Sequence, residues 1–210
     1  MKILLVAATN AEISLLTEHF RLSGDALMKT EKFDVLITGV GMTATAFALG
    51  KQLSDRYHLV LNLGIAGSFN PEIALGTVLN VVSDDFSELG AEDQEQFLTI
   101  DDLGFGKSSY RAYNNLLHPS LSELRKVKGI TVNTVHGSAE SIKAVKNRLH
   151  PITESMEGAA VLYSCEQAGI PCLQIRSISN YVEPRNRESW KIGLAIKQLN
   201  EWAIGFLTNS

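Results

Sequence analysis

The chain has 210 residues, 45% of them hydrophobic, which is enough for one domain with a full-sized core. With 19 basic against 23 acidic residues its formal net charge is −4, so it has no general attraction for nucleic acid or an anionic membrane surface. No uncharged apolar run reaches the roughly 18 residues that span a bilayer, and two cysteines in apolar stretches, Cys165 and Cys172, fit buried thiols rather than a disulfide framework or metal site, pointing to a cytoplasmic protein.

Strands and helices alternate along the chain. The opening apolar run is interrupted by Asn10 and Glu12, so residues 3–8 read as a buried strand rather than as a leader. Asn10 is the expected cap of a helix carrying Ile13, Leu15, Leu16 and Phe20. Residues 33–38 form a second strand, followed by a Gly39-Val40-Gly41 turn and a small-residue helix over 43–53. Residues 59–63 form a third strand, ending in a turn at Gly64-Ile65-Ala66-Gly67. Residues 77–83 and 130–135 read as strands and 138–147 as a helix; between 84 and 128 the pattern weakens into long loops around short strands. A helix over 157–169 stops at Gly169, a last strand covers 171–179 and a final helix 190–206. This order predicts a single α/β domain with a mainly parallel mixed sheet flanked by helices on both faces. Ligands in such sheets bind beyond the C-terminal strand ends, which singles out residues 9–12, 39–43, 64–69, 136–141 and 177–187.

Several residues in those segments can carry chemistry. Glu12 follows the first strand, where a carboxylate can be a plain first-turn acid or a general base. Glu157 opens a helix of small residues and can accept paired, charge-assisted hydrogen bonds from a sugar diol, with Met156 packed beside the sugar or in the core. Arg176 lies in an apolar strand, where a guanidinium is costly unless paired. Ser179 and Asn180 emerge where that strand ends, although Asn180 can also cap a turn. The glycines at 39, 41, 64 and 67 let backbone N–H groups approach a ligand, with Ser68 beside them. The spacing is neither that of a Walker loop nor that of a dinucleotide fingerprint. The five histidines have no metal-like spacing, and no role is assigned to them.

Residues 154–183, running from Glu-Ser-Met-Glu-Gly-Ala-Ala to Ile-Arg-Ser-Ile-Ser-Asn-Tyr-Val-Glu, resemble the signature end of the nucleoside phosphorylase/nucleosidase superfamily. Ala8-x-x-x-Glu12, Gly39-Val40-Gly41-Met42 and Leu63-Gly64-Ile65-Ala66-Gly67-Ser68 extend the likeness over nearly the whole chain. The resemblance implies that Glu12 activates a water, Glu157 holds the ribose hydroxyls, Met156 lies against the sugar, Arg176 and Ser179 support the site, and the base lies near Asn180. It implies a small-molecule purine nucleoside as partner, no metal or organic cofactor, and a homodimer.

The departures from the superfamily pattern narrow the expected substrate. Where bacterial phosphorylases hold phosphate with arginine and serine, this chain has Asn62 and Ile65, which favours hydrolysis. Where adenine-cleaving nucleosidases have a proton-donating aspartate, it has Asn180, whose amide donates no proton but can hydrogen-bond to N7 or a 6-oxo group, or pair with adenine N6 and N7. Glu140-Ser141 stands where those relatives have a base-contacting Phe-Ile pair. The segment Asn180-Tyr181-Val182-Glu183-Pro184-Arg185-Asn186-Arg187, with Trp190, and the segment Glu88-Leu89-Gly90-Ala91-Glu92-Asp93 look like those of futalosine hydrolases. This likeness makes Arg185 and Arg187 candidate partners of a substrate carboxylate, against the plainer reading that they pair with Glu183 or Glu188. One or two of Phe86, Phe97, Phe105, Tyr110 and Tyr113 are candidates to stack on a ring. A methylthioadenosine/S-adenosylhomocysteine nucleosidase and a purine-nucleoside binding protein without catalysis remain open as alternatives.

Overall fold

The computed structural model describes residues 2–94, 96–113 and 115–208. In chain order its first half holds β1 (Ile3–Ala7), α1 (Ser14–His19), β2 (Leu27–Lys29), β3 (Phe33–Ile37), α2 (Met42–Gln52), β4 (Leu59–Ser68) and β5 (Val78–Phe86). The weakly patterned middle holds β6 (Gly90–Asp93), β7 (Gln96–Thr99), β8 (Ser109–Arg111) and the single turn α3 (Pro119–Ser122). Then come β9 (Lys126–Thr131), α4 (Ala139–Leu149), β10 (Thr153–Ser155), α5 (Gly158–Ala168), β11 (Cys172–Tyr181) and α6 (Ile192–Thr208).

Period-two alternation sets the layers. Along β1, Ile3, Leu5 and Ala7 join Leu61, Leu63, Leu173 and Ile175 in a core closed by Leu16 of α1 and Leu199, Ala203 and Phe206 of α6. Leu4 and Val6 point to the opposite face, where Val60 and Cys172 meet Leu49 of α2 and Val161, Leu162 and Cys165 of α5. Both cysteines are free and buried, as expected. Helices therefore cover both faces of the sheet.

The sheet is mixed. β3, β1, β4 and β11 run parallel in that spatial order, β11 continues to β5 antiparallel, and β5 pairs with β9 in parallel. The strand β10 then pairs with β9 on one side and antiparallel with β4 on the other. These five strands close into a ring whose interior is filled by Ala66, Leu79, Val81, Val127 and Ile178. Closure explains one departure from expectation. The segment Gly64–Gly67 is not a turn after β4 but part of it, because β11 and β10 supply ladder partners on its two sides. Thr9 rather than Asn10 caps the first turn: its hydroxyl accepts from the Glu12 amide, and its own amide donates to the Glu12 carboxylate.

Candidate active site

A cavity of about 330 Å³ opens over the C-terminal edge of the sheet, within the size range of small-molecule sites. Ala8, Thr9 and Glu12 line it after β1, Val40 after β3, Ile65–Gly67 from β4, Val135 and His136 after β9, Glu154–Glu157 through β10 to the start of α5, and Ser179–Tyr181 from β11. Arg185, Trp190 and the first turns of α6 complete the wall.

Glu12 is held on three sides. Oε2 accepts from the Thr9 amide at 3.1 Å and the Thr9 hydroxyl at 3.3 Å, and Oε1 accepts from the Ile65 amide at 3.1 Å. Those bonds occupy three of the roughly four lone-pair sites of a carboxylate, leaving Oε1 able to accept once more. Burial raises its pKa above the usual glutamate range, and the Arg176 charge and the two amides offset part of that rise. Glu12 is thus both the capping carboxylate of its turn and a cavity-facing carboxylate with an acceptor site to spare; the two readings of its position are compatible.

Arg176 is buried in β11 behind the cavity wall. Its Nη1 donates to Asn62 Oδ1 at 3.3 Å, and Nε has no partner among the described residues. A Cβ on Gly64 would stand 2.7 Å from Arg176 Nη1 and 3.0 Å from Glu12 Oε1. The missing side chain at residue 64 is what lets the guanidinium and the carboxylate converge on one spot.

Glu157 lines the same cavity as Glu12, and its charge adds to the rise of the Glu12 pKa. Its Oε1 accepts from the Gly41 amide at 2.9 Å, and Gly41 adopts φ +93°, a region that favours glycine. The Gly39-Val40-Gly41 turn therefore orients this carboxylate and leaves its second oxygen to a ligand. Met156 lines the cavity while packing on the cluster of Phe69, Ile130, Val132 and Val145, so its packing and lining roles coincide.

The amide of Asn180 has a fixed orientation. Tyr181 O can only accept, so the group 3.0 Å from it is Nδ2, and Oδ1 accepts from the Ser179 hydroxyl at 2.8 Å. One Nδ2–H remains for a ligand.

Other candidates fall elsewhere. The Ser68 hydroxyl turns away to Asn70 O and Ile152 O and does not line the cavity. Arg185 does line it, with its guanidinium 5.1 Å from the Trp190 ring centre; Arg187 lies 5.8 Å from the same ring but outside the lining. Neither pairs with Glu183 or Glu188: Glu183 instead accepts from Ser189, and the ion pairs among the described residues involve neither arginine. Glu140, Ser141 and the five central aromatics do not line the cavity; Trp190 and Tyr181 are the aromatics that do.

Three residues had no role from sequence. Asn200 of α6 accepts from the Leu16 amide at 2.8 Å and donates to Glu12 O at 2.8 Å, clasping the Glu12 turn to the C-terminal helix. His136 and Glu154 form a contact pair on the cavity wall. The visible signals were a polar residue on the apolar stripe of α6 and an acid three residues before Glu157.

Among known proteins, the family model described as the phosphorylase superfamily matches residues 3–204. A futalosine hydrolase of Streptomyces coelicolor is 34% identical over 83% of this chain and 78% of its own length. A 5′-methylthioadenosine/S-adenosylhomocysteine nucleosidase of Shewanella halifaxensis is 24% identical over 86% of each chain. The native structure of a futalosine hydrolase of Helicobacter pylori superposes with a TM-score of 0.82 at 16% identity, over 100% of this chain and 98% of that one.

Proposed function

Because the chain belongs to the phosphorylase superfamily, we propose that it is an N-glycosyl hydrolase of purine nucleosides and that its substrate is futalosine, split into hypoxanthine and dehypoxanthinyl futalosine on a route to menaquinone. The observation that carries the reading is the pairing of a cavity-facing, desolvated Glu12 with an Asn180 amide that offers a fixed N–H where a proton-donating acid would stand. Relatives at 27–34% identity that are futalosine hydrolases support the choice of substrate.

In this reading Glu12 Oε1 takes a proton from a water beside Arg176, and the water oxygen bonds to the anomeric carbon. The C–N bond breaks as its electron pair passes into the purine, through an oxocarbenium-like state. The Asn180 N–H stabilises the charge gathering at N7 or the 6-oxo group, and the departing base takes its proton from solvent. Glu157 holds the ribose hydroxyls with its free oxygen, and Met156 packs on the sugar. Burial moves the Glu12 pKa towards neutral pH, where a general base is more effective. Arg185, set on Trp190, meets the substrate carboxylate, with Arg187 behind it. The exposed apolar residues Val40 and Phe47, at the turn and on α2, together with Tyr163 on α5, form the face through which two copies pair as a homodimer.

The test is chromatographic detection of free base from futalosine, methylthioadenosine and inosine, each without phosphate. Hypoxanthine from futalosine supports the proposal. Adenine from methylthioadenosine alone transfers the reading to the other nucleosidases. No base from any substrate, at high protein concentration, makes the chain a binding protein.

A further inference from the structure

Across the closed part of the sheet, Gly67 of β4 is in register with Glu154 of β10 on one side and Asn180 of β11 on the other. Directly opposed residues place their side chains on one face, and all three line the cavity. Two interstrand spacings separate the flanking residues by about 10 Å, and the middle position has no side chain. A Cβ there would stand 3.2 Å from Asn180 Nδ2 and 2.9 Å from Val182 Cγ2. The missing side chain lets Val182 and the Asn180 amide settle against β4, which sets that amide at one end of the row, on the cavity wall.

At the other end Glu154 is buried and spends both oxygens on His136. Oε1 accepts from the His136 amide at 3.0 Å, and Oε2 is in close contact with the ring Nδ1. A carboxylate accepts, so Nδ1 carries the proton. Phe69 meets the ring edge-on at 6.4 Å and fixes its plane. Nε2 has no hydrogen-bond partner among the described residues. In the neutral ring it is a bare acceptor.

We infer that His136, held by Glu154, is a specificity-determining residue that selects 6-oxopurines over 6-aminopurines. The inference rests on the nucleosidase reading and adds to it the residue that reads the base. A 6-oxopurine carries a hydrogen on N1, which Nε2 accepts. A 6-aminopurine presents a lone pair at N1, and two acceptors then face each other with no proton between them, a mismatch that costs affinity. Asn180 alone does not discriminate in this way, because an amide N–H serves N7 of either base.

The test compares hypoxanthine and adenine binding by calorimetry, and futalosine turnover, in wild type, His136→Asn and His136→Gln, with thermal melting as the folding control. Asparagine keeps an N–H at the Nδ1 position for Glu154 and leaves nothing at Nε2. Glutamine reaches the Nε2 position with an oxygen or an N–H. Wild type is expected to favour hypoxanthine by about tenfold or more. His136→Asn abolishes that preference and lowers kcat/KM for futalosine by about tenfold or more with Tm retained. His136→Gln binds both bases with a ratio near one and recovers part of the turnover. A His136→Asn protein that keeps the wild-type base ratio overturns the inference while leaving the nucleosidase reading intact. A wild type that favours adenine overturns it too, and a wild type that binds neither base and releases none overturns both.

Discussion

Glu12 and Asp84 are both carboxylates that burial pushes above the ordinary range, and both feel the charge of Arg176. Their surroundings differ. Asp84, within β5, receives Gln174 Nε2 at 2.6 Å and Thr131 Oγ1 at 2.7 Å, lies outside the cavity lining, and has its pKa raised to about 6. Glu12 sits over the strand ends with one acceptor site open to the cavity. A raised carboxylate pKa therefore marks burial; an accessible lone pair beside an unsatisfied guanidinium marks the base candidate. Arg176 lies between the two, and Asn62 and Gln174 join it to Asp84 in a buried polar chain under the site.

Substitutions at each end test this contrast. Glu12→Gln keeps the shape of the turn and removes the base, so kcat for base release should fall by about 10²–10⁴-fold with little change in Tm. In wild type, activity should fall with decreasing pH on a limb lying above the usual glutamate range, since the ionised form is the active one. A pH–kcat/KM profile checks this.

Asp84→Asn should act on stability instead. With a folded-state pKa of about 6 against an ordinary 3.8, Asp84 favours folding most below pH about 4, and that contribution is lost as pH rises through about 6. At about 1.4 kcal/mol per pH unit the interval amounts to about 3 kcal/mol. Denaturant unfolding from pH 4 to 7, buffer values spanning roughly that interval, should show wild type losing stability relative to Asp84→Asn. Parallel curves would contradict the assignment.

Smaller effects are expected along the substrate. Glu157→Gln retains an acceptor for the Gly41 amide and loses charge assistance, so kcat/KM should drop by about 10–100-fold, and 2′-deoxy substrates should lose less than ribosides. Arg185→Ala should raise KM for futalosine by about 3–10-fold and leave inosine unchanged, with Arg187→Ala weaker because it stands outside the cavity. Equal losses on both substrates would remove the arginines from carboxylate recognition.

Much of the fold was legible where a strand or helix buries its own continuous pattern, as in β1, β3, β11, α5 and α6. What escaped depended on distant partners. β10 is Thr-Glu-Ser, with no apolar run, and exists because β9 and β4 both need an edge covered. β9 begins at Lys126, earlier than the apolar residues suggested, because its first residues alternate charged and apolar. Glu12, Glu157, Met156 and Asn180, singled out from the sequence, come together along one cavity because each closes or follows an element at the ligand edge. Ser68 was misplaced because a strand continues through it and turns its hydroxyl to Asn70 and Ile152. His136 and Glu154 were missed because neither is informative without the register that sets Glu154 beside Gly67.

The central claim is that a Glu12-activated water, not phosphate, receives the glycosyl group. Mass spectrometry of the sugar product after incubation with futalosine in phosphate buffer tests it most directly. The account predicts free dehypoxanthinyl futalosine at a rate independent of phosphate; a sugar 1-phosphate formed in proportion to phosphate would contradict it.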